Sequence, residues 1–286
     1  MIWLALAALS SIAIALILKV NEGRGGDRIL IAAANYLSAS VISFVMLGWR
    51  GGWAAVSGGR DGATLALGAA AGIIYVLGFL LLMAGIGRLP LAVPVTVARL
   101  SVILPIAVSI ALWRESPGLF QWLGIALGLI AFILFGRSLS ASGHASRAGG
   151  RSSLIIVLLF VVLGLGDVTL KAFREMAPDA DRLAFTFVLF AAAAVVTWLL
   201  VLARRVTFDA KTFWLGLLLG VPNLTSTIFT LLALRSVPAS IAFPFINVAV
   251  IFGTTILGFA VWRERLSRLN AAGLCVSFIA IVLLSR

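Results

Sequence analysis

Charge is what this sequence has least of. Asp, Glu, Lys and Arg make up 11% of 286 residues, against 62% hydrophobic, and the mean hydropathy is +1.17. A soluble domain carries about 25% charged and roughly 45–50% apolar residues. There is too little polar surface here to coat a water-soluble globule, so the chain must be solvated by lipid. Cysteine is a single residue, Cys275, inside an apolar run, which excludes a disulfide scaffold and a multi-cysteine metal site. Histidine is also single, His144, in a polar stretch with no ligand partners near it. With one His, one Cys and few acids inside apolar runs, the chain lacks the nucleophile–base or metal constellations of a membrane-embedded enzyme. No enzymatic activity, metal or cofactor is expected.

The balance of the few charges is basic, at +12 net. The cations sit between apolar runs, as Arg204-Arg205, Arg263-Glu264-Arg265 and Arg147…Arg151. Loop cations fix membrane topology. There are no basic tails and no interleaved aromatics on which bases could stack, so the expected partner is the bilayer and not nucleic acid.

A membrane-spanning helix takes about 20 residues. Apolar runs bounded by charge, Gly or Pro place ten spans near 2–18, 28–49, 63–86, 90–112, 118–136, 153–172, 182–203, 211–234, 238–261 and 267–285. These runs are too long and too uniformly apolar for barrel strands. All eight tryptophans fall near proposed ends, where an apolar ring with a polar N–H is best placed. The first run has no basic segment before it and ends in Lys19, so it reads as a span and not as a cleaved signal. Residues 137–152 form a polar linker that halves the chain. The expected class is an all-α membrane protein.

The halves resemble each other. Gly68-Ala-Ala-Ala-Gly72 matches Gly216-Leu-Leu-Leu-Gly220 and Pro90 matches Pro238, both at a shift of 148; Trp113-Arg114-Glu115 matches Trp262-Arg263-Glu264 at 149. Gly124…Gly128 matches Gly273…Ser277, Lys19 matches Lys171, and Asp27-Arg28 matches Asp181-Arg182. Each half, 1–136 and 153–286, holds five spans. An odd number sends the second half into the membrane from the opposite side, so the repeats are inverted. Such symmetry serves a protein that exchanges two mirror-related conformations around one midplane site. The small-residue motifs read as close helix packing, and those on spans 5 and 10 could alternatively support a homodimer.

The stretches Gly87-Arg-Leu-Pro-Leu-Ala…Leu112-Trp-Arg-Glu115…Gln121-Trp-Leu-Gly124 and Arg235-Ser-Val-Pro-Ala-Ser-Ile-Ala…Trp262-Arg-Glu264-Arg-Leu…Gly273 resemble the repeat of EamA-type transporters, in the drug/metabolite transporter superfamily. The turn after Glu115, Ser-Pro-Gly, departs from the Arg/Lys-Leu-Ser/Thr kind seen at Arg265-Leu-Ser267. The resemblance implies a multi-pass secondary transporter, as in a bacterial inner membrane, that moves small metabolites by alternating access. Its cavity would be lined mainly by spans 1–4 and 6–9, with spans 5 and 10 peripheral.

Polar residues within spans are costly and mark sites. Arg99 lies mid-span 4 and cannot deprotonate. Its repeat counterpart is Asn247, and the pair reads as a clamp for a substrate carboxylate or phosphate; the alternative is that Arg99 caps carbonyls freed near Pro90, Pro94 or Pro105. Asp167, the one acid well inside a span, sits a turn before Lys171. It reads as a proton-coupling group or as the partner of Lys171 or Arg99. Lys19 and Lys171 end matched spans and either gate the cavity mouths or snorkel. Tyr75 matches Asn223. With Thr225, Ser226 and Thr227, Asn223 follows Pro222, so these groups either line the cavity or re-satisfy its freed carbonyl. Tyr36 and Asn35 are weaker cases. Glu115 and Glu264 read as structural, paired with Arg114 and Arg263 or supporting the next helix. Ser116-Pro117 reads as an N-cap with a first-turn proline. Lys plus Arg, omitting Arg99, divides eight on the face holding both termini against thirteen on the other, which would put the termini outside; the resemblance puts them in the cytoplasm.

Two functions follow: a secondary transporter, in the exporting direction, of small anionic metabolites such as amino acids, or a proton-coupled exporter of cationic or aromatic compounds.

Overall fold

The computed structural model describes residues 1–49, 62–86, 92–140, 150–177, 181–262 and 268–286. These residues are mostly helical, with no strand among them. The helices are α1 (Ile2–Gly23), α2 (Arg28–Trp49), α3 (Gly62–Ile86), α4 (Ala92–Leu100), α5 (Ile103–Trp113), α6 (Leu119–Ser140), α7 (Gly150–Met176), α8 (Arg182–Ala203), α9 (Ala210–Ala233), α10 (Ala239–Trp262) and α11 (Arg268–Leu284). Seven are long and apolar enough to cross a membrane, and three shorter apolar helices accompany them. With α4 and α5 taken as one interrupted crossing, the count matches the ten expected spans.

Polar residues at the helix starts fix the boundaries. Asp27 accepts from the amides of Ile29 and Leu30 at 2.8 and 2.9 Å, and its repeat counterpart Asp181 accepts from Leu183 at 2.8 Å. Asp209 does the same for Thr212 at the head of α9. Each carboxylate satisfies amides that a first turn leaves orphaned. At α6 the expected Ser116 cap is replaced: the helix starts at Leu119, and the Gly118 amide donates to Gln121 Oε1 at 2.8 Å. Gln121 reaches back as the fourth residue of a capping box does. Helix α6 runs to Ser140 and α7 starts at Gly150; His144 lies outside the described residues.

The fourth span is broken at Ser101-Val102, one residue after α4 ends. Pro105 has no N–H to give the Ser101 carbonyl, which takes the Leu104 amide at 3.0 Å instead. The break lies directly beyond Arg99.

The halves pack as sister units. Helix α1 packs on α9 as α7 does on α3, α2 on α9 as α8 on α3, and α10 on α11 as α4 on α6. The match extends to single residues. A Cβ on Gly216 would strike Ala34 and the Ile31 carbonyl, and one on Gly68 would strike Val188 and the Phe185 carbonyl. Gly220 likewise meets Ser38 and the Asn35 carbonyl, and Gly72 meets Ala192 and the Leu189 carbonyl. Residues 31, 34, 35 and 38 are counterparts of 185, 188, 189 and 192, so the two seams are the same seam built twice. Lipid supplies no hydrophobic drive between helices, and close backbone approach at glycine takes its place.

The repeats are inverted. Helices α2 and α8 are counterparts and run antiparallel, with Tyr36 stacked on Phe190, Phe44 tilted against Phe187 and Leu47 beside Leu183. Tyr36 and Phe190 are each other's counterparts, as are Arg99 and Asn247, whose side chains also meet. Equivalent positions can touch only on a two-fold axis, and these two contacts place the axis through the middle of the molecule. Helices α6 and α11 pair at one edge, where Gly124 faces Ala280 and Leu284.

Candidate functional site

Two cavities meet on that axis. One, of about 370 Å³, lies between α3, α4 and α7 and is walled mainly by Ile74, Gly78, Phe79, Leu82, Val162 and Leu163. The other, of about 180 Å³, lies between α1, α9 and α10 and presents Ser11, Asn223, Ser226, Thr227, Thr230 and Asn247. Tyr75, Arg99 and Asp167 line both.

Arg99 reaches the junction because it lies in the last turn of α4, just before the break ahead of Pro105. Its Nη1 donates to Asn247 Oδ1 at 3.3 Å, and Asn247 Nδ2 donates to the Phe243 carbonyl at 3.0 Å. The amide is thereby oriented by its own helix and holds the guanidinium on the axis. Among the described residues the guanidinium's side-chain hydrogen-bond partner is Asn247. Asp167 shares the junction with Arg99. It is not the carboxylate that pairs with Lys171.

The hydroxyl side of the junction is rich in acceptors. Thr227 donates to the Asn223 carbonyl at 3.1 Å and Thr230 to the Ser226 carbonyl at 2.8 Å. Their protons are used on their own helix, so toward the cavity they offer lone pairs. Asn223 Nδ2 donates to Asn35 Oδ1 at 3.1 Å, which leaves the Asn223 oxygen as an acceptor as well.

Of the residues expected at a site, Arg99, Asn247, Tyr75, Asn223, Thr227, Tyr36 and Asp167 converge here. Asn35 is buried one step behind, orienting Asn223. Thr225 turns instead to α1, bonding Ser10 at 3.1 Å and the Val221 and Pro222 carbonyls. Lys19, half-buried near the end of α1, and Lys171 line neither cavity. No residue of α8 lines either cavity, so span 7 serves as a scaffold for α2 and α3. Ser226, expected with its neighbours after Pro222, also lines the second cavity. Ser11 and Thr230 were not singled out in the sequence, although comparing repeat positions exposes them: their counterparts are Leu163 and Leu82.

A second cluster closes the face that holds both termini. Arg114, at φ 52°, ends α5 in the left-handed region and turns the chain so that Glu115 reaches back. Glu115 accepts from the amides of Ala239 and Ser240 at 2.9 and 2.8 Å, and from Lys171 Nζ at 2.8 Å. Lys171 also pairs with Glu175 and lies 5.6 Å from the Trp113 ring centroid. The side chains of Lys171 and Glu115 are 6% and 9% exposed. Burial alone would raise the Glu115 carboxyl; the Lys171 hydrogen bond and the two amides outweigh it and hold it below the usual carboxylate range. Glu115 was expected to pair with Arg114 or support the following helix, α6. It supports α10 instead, because the left-handed turn directs it across the repeat boundary. Its counterpart Glu264 lies outside the described residues.

Comparison with known proteins agrees with this architecture. A family model described as the EamA-like transporter family matches residues 1–137 and 151–286, within the drug/metabolite transporter superfamily. An uncharacterized protein of Haemophilus influenzae is 28% identical over 187 residues, which are 64% of this chain and 62% of that protein, less than two thirds of either. One crystal structure of a protein 14% identical in sequence superposes with a TM-score of 0.81 over 99% of this chain and 94% of that one, a likeness of fold alone.

Proposed function

This chain belongs to the EamA-like transporter family, and from that premise we propose that it is a secondary active transporter that exports small metabolites with an anionic group, amino acids among them, across a bacterial inner membrane. It works by alternating access around the junction of the two cavities. Substrate carboxylate docks on Arg99, which Asn247 holds in line. The observation that carries this reading is the Arg99–Asn247 contact on the two-fold axis. A permanent cation in the low-dielectric middle of a bilayer is expensive unless it faces an anion or water, and on the axis it is the one place that both mirror-related conformations share.

Binding of amino acids, nucleotides, sugars and quaternary amines to the purified full-length protein, followed by thermal shift, tests the reading. Arg99→Ala is expected to weaken carboxylate ligands at least tenfold while leaving the fold intact. Arg99→Lys recovers part of the loss, since Lys keeps the charge and loses the planar fork. Unchanged binding and uptake in Arg99→Ala would overturn it.

Asp167 favours a second reading, a proton-coupled exporter of cationic or aromatic compounds, because this acid at the junction faces the same space as Arg99. Asp167→Asn in vesicles separates the two. Loss of pH-driven exchange with binding retained assigns Asp167 to coupling; loss of cation binding itself supports the second reading.

A further inference from the structure

The two cavities are counterparts under the two-fold axis, yet their linings have diverged in opposite directions. Gly78, Phe79 and Leu82 on α3 correspond to Ser226, Thr227 and Thr230 on α9, at a shift of 148. Val162 and Leu163 on α7 correspond to Ser10 and Ser11 on α1, at the shift that relates Lys171 to Lys19. Five equivalent positions are thus hydroxyl-bearing in one seam and apolar or bare in the other. In the hydroxyl seam the residues bond one another, Ser11 Oγ to Ser226 Oγ at 2.7 Å and Thr225 to Ser10 at 3.1 Å. In the apolar seam the equivalent contact is Gly78 against the Leu163 side chain. The apolar side of the junction is about twice as roomy as the hydroxyl side.

An inverted repeat with a symmetric task has no reason to separate apolar from polar positions this way; an amphipathic ligand does. We propose that the chain selects zwitterions with an apolar side group of branched-aliphatic or aromatic size, and that Gly78 sets the size limit. The carboxylate sits on Arg99. The ammonium faces Asp167 and the acceptors Thr227, Thr230 and Asn223. The side group fills the space between Ile74, Phe79, Leu82 and Leu163. Arg99 and Asp167 together are neutral, which suits a ligand of no net charge. The volume, about 370 Å³, falls in the range of small-molecule sites. Gly166 lies against the Tyr75 ring, on which an added Cβ would press, and Tyr75 lines both sides. This inference rests on the amino-acid reading above and adds to it a side-group preference that Arg99 alone does not impose.

The test is calorimetric binding of glycine, serine, leucine and phenylalanine to the full-length protein in lipid nanodiscs. Affinity should rise by about fourfold for each buried methylene, so leucine and phenylalanine bind at least tenfold tighter than glycine or serine. Gly78→Leu fills the apolar space and should weaken phenylalanine at least tenfold while changing glycine less than twofold. Should Gly78→Leu fail to fold, Gly78→Ala and Leu82→Ala carry the test, the first weakening phenylalanine relative to leucine and the second the reverse. Equal affinity for all four ligands, lost in Arg99→Ala, keeps the proposed function and overturns this inference. A uniform loss in Gly78→Leu across all four overturns it too. Binding of none of the four overturns both.

Discussion

Glu115 shows how one side chain joins the two repeats. Its carboxylate takes a lysine from α7 and two amides from the start of α10, while its own backbone belongs to the first repeat. Three parts of the chain therefore depend on one buried negative charge. Removing one member of a buried pair costs about 3–5 kcal/mol, because the remaining charge loses its compensation. Glu115→Gln is expected to lower stability by about that much, read as a shift in thermal unfolding of the detergent-solubilised protein. Because the folded carboxyl is held below its usual range, its contribution is fully present above the ordinary glutamate value, about 4.3, and is lost as the pH falls from there through the lowered folded value. The gap between wild type and Glu115→Gln should stay constant from about pH 8 to about pH 5 and close at more acid pH. A gap that is widest in acid would contradict the lysine and amide contacts as its source.

At the scale of elements, the glycine seams carry the packing. Gly72 and Gly220 each lie where a Cβ would press on backbone of the facing helix, the Leu189 and Asn35 carbonyls, which cannot swing aside. Gly72→Ala and Gly220→Ala are each expected to cost about 1–3 kcal/mol as overpacking, and to cost alike, since the two seams are counterparts. Gly23→Ala, with nothing within 4 Å of the added carbon, should stay within about 0.5 kcal/mol of wild type. Unfolding of the three variants in a denaturant series checks the pattern. These seams also show what a sequence can and cannot disclose. Gly68, Gly72, Gly216 and Gly220 were legible as a repeated motif because spacing alone carries helix packing. Asp27 and Asp181 were legible as matched residues for the same reason. The Ser101 break was not, although Pro105 was in view, because proline in a membrane helix is tolerated when neighbours re-satisfy the backbone and nothing local says whether they do. Glu115 was misassigned because the reach of a left-handed turn at Arg114 is set by tertiary packing, and a sequence displays only its nearest neighbours. Arg99, Asp167 and Asn247 were legible because a charged or amide side chain is too costly inside an apolar run to sit there without a task. Ser11 and Thr230 passed unnoticed because single hydroxyls are cheap there.

For the whole molecule, the two faces are not closed in the same way. Helix directions put the hydroxyl seam and the Glu115–Lys171 cluster on the half that holds both termini, and the apolar space on the other half. If the cavities exchange access, the α1–α9 seam must part when the terminal face opens, and the Ser11–Ser226 hydrogen bond must break. A cross-link there should therefore trap one conformation. Ser11→Cys with Ser226→Cys, in a Cys275→Ser background that removes the exposed native thiol, places two sulfurs where the hydroxyl oxygens now lie 2.7 Å apart. Oxidation should stop vesicle transport, reduction should restore it, and ligand should still bind from the opposite face, because Arg99 lies on the axis and not within the linked seam. Leu163→Cys with Gly78→Cys links the counterpart seam and should also stop transport, with access left from the face that holds the termini; because both residues line the apolar space, glycine and not phenylalanine is the ligand read there. Sidedness of binding to oriented vesicles tells the two trapped forms apart. Full transport with the Ser11–Ser226 link formed would mean that this seam never opens, and the inverted repeat would then serve assembly and not alternating access.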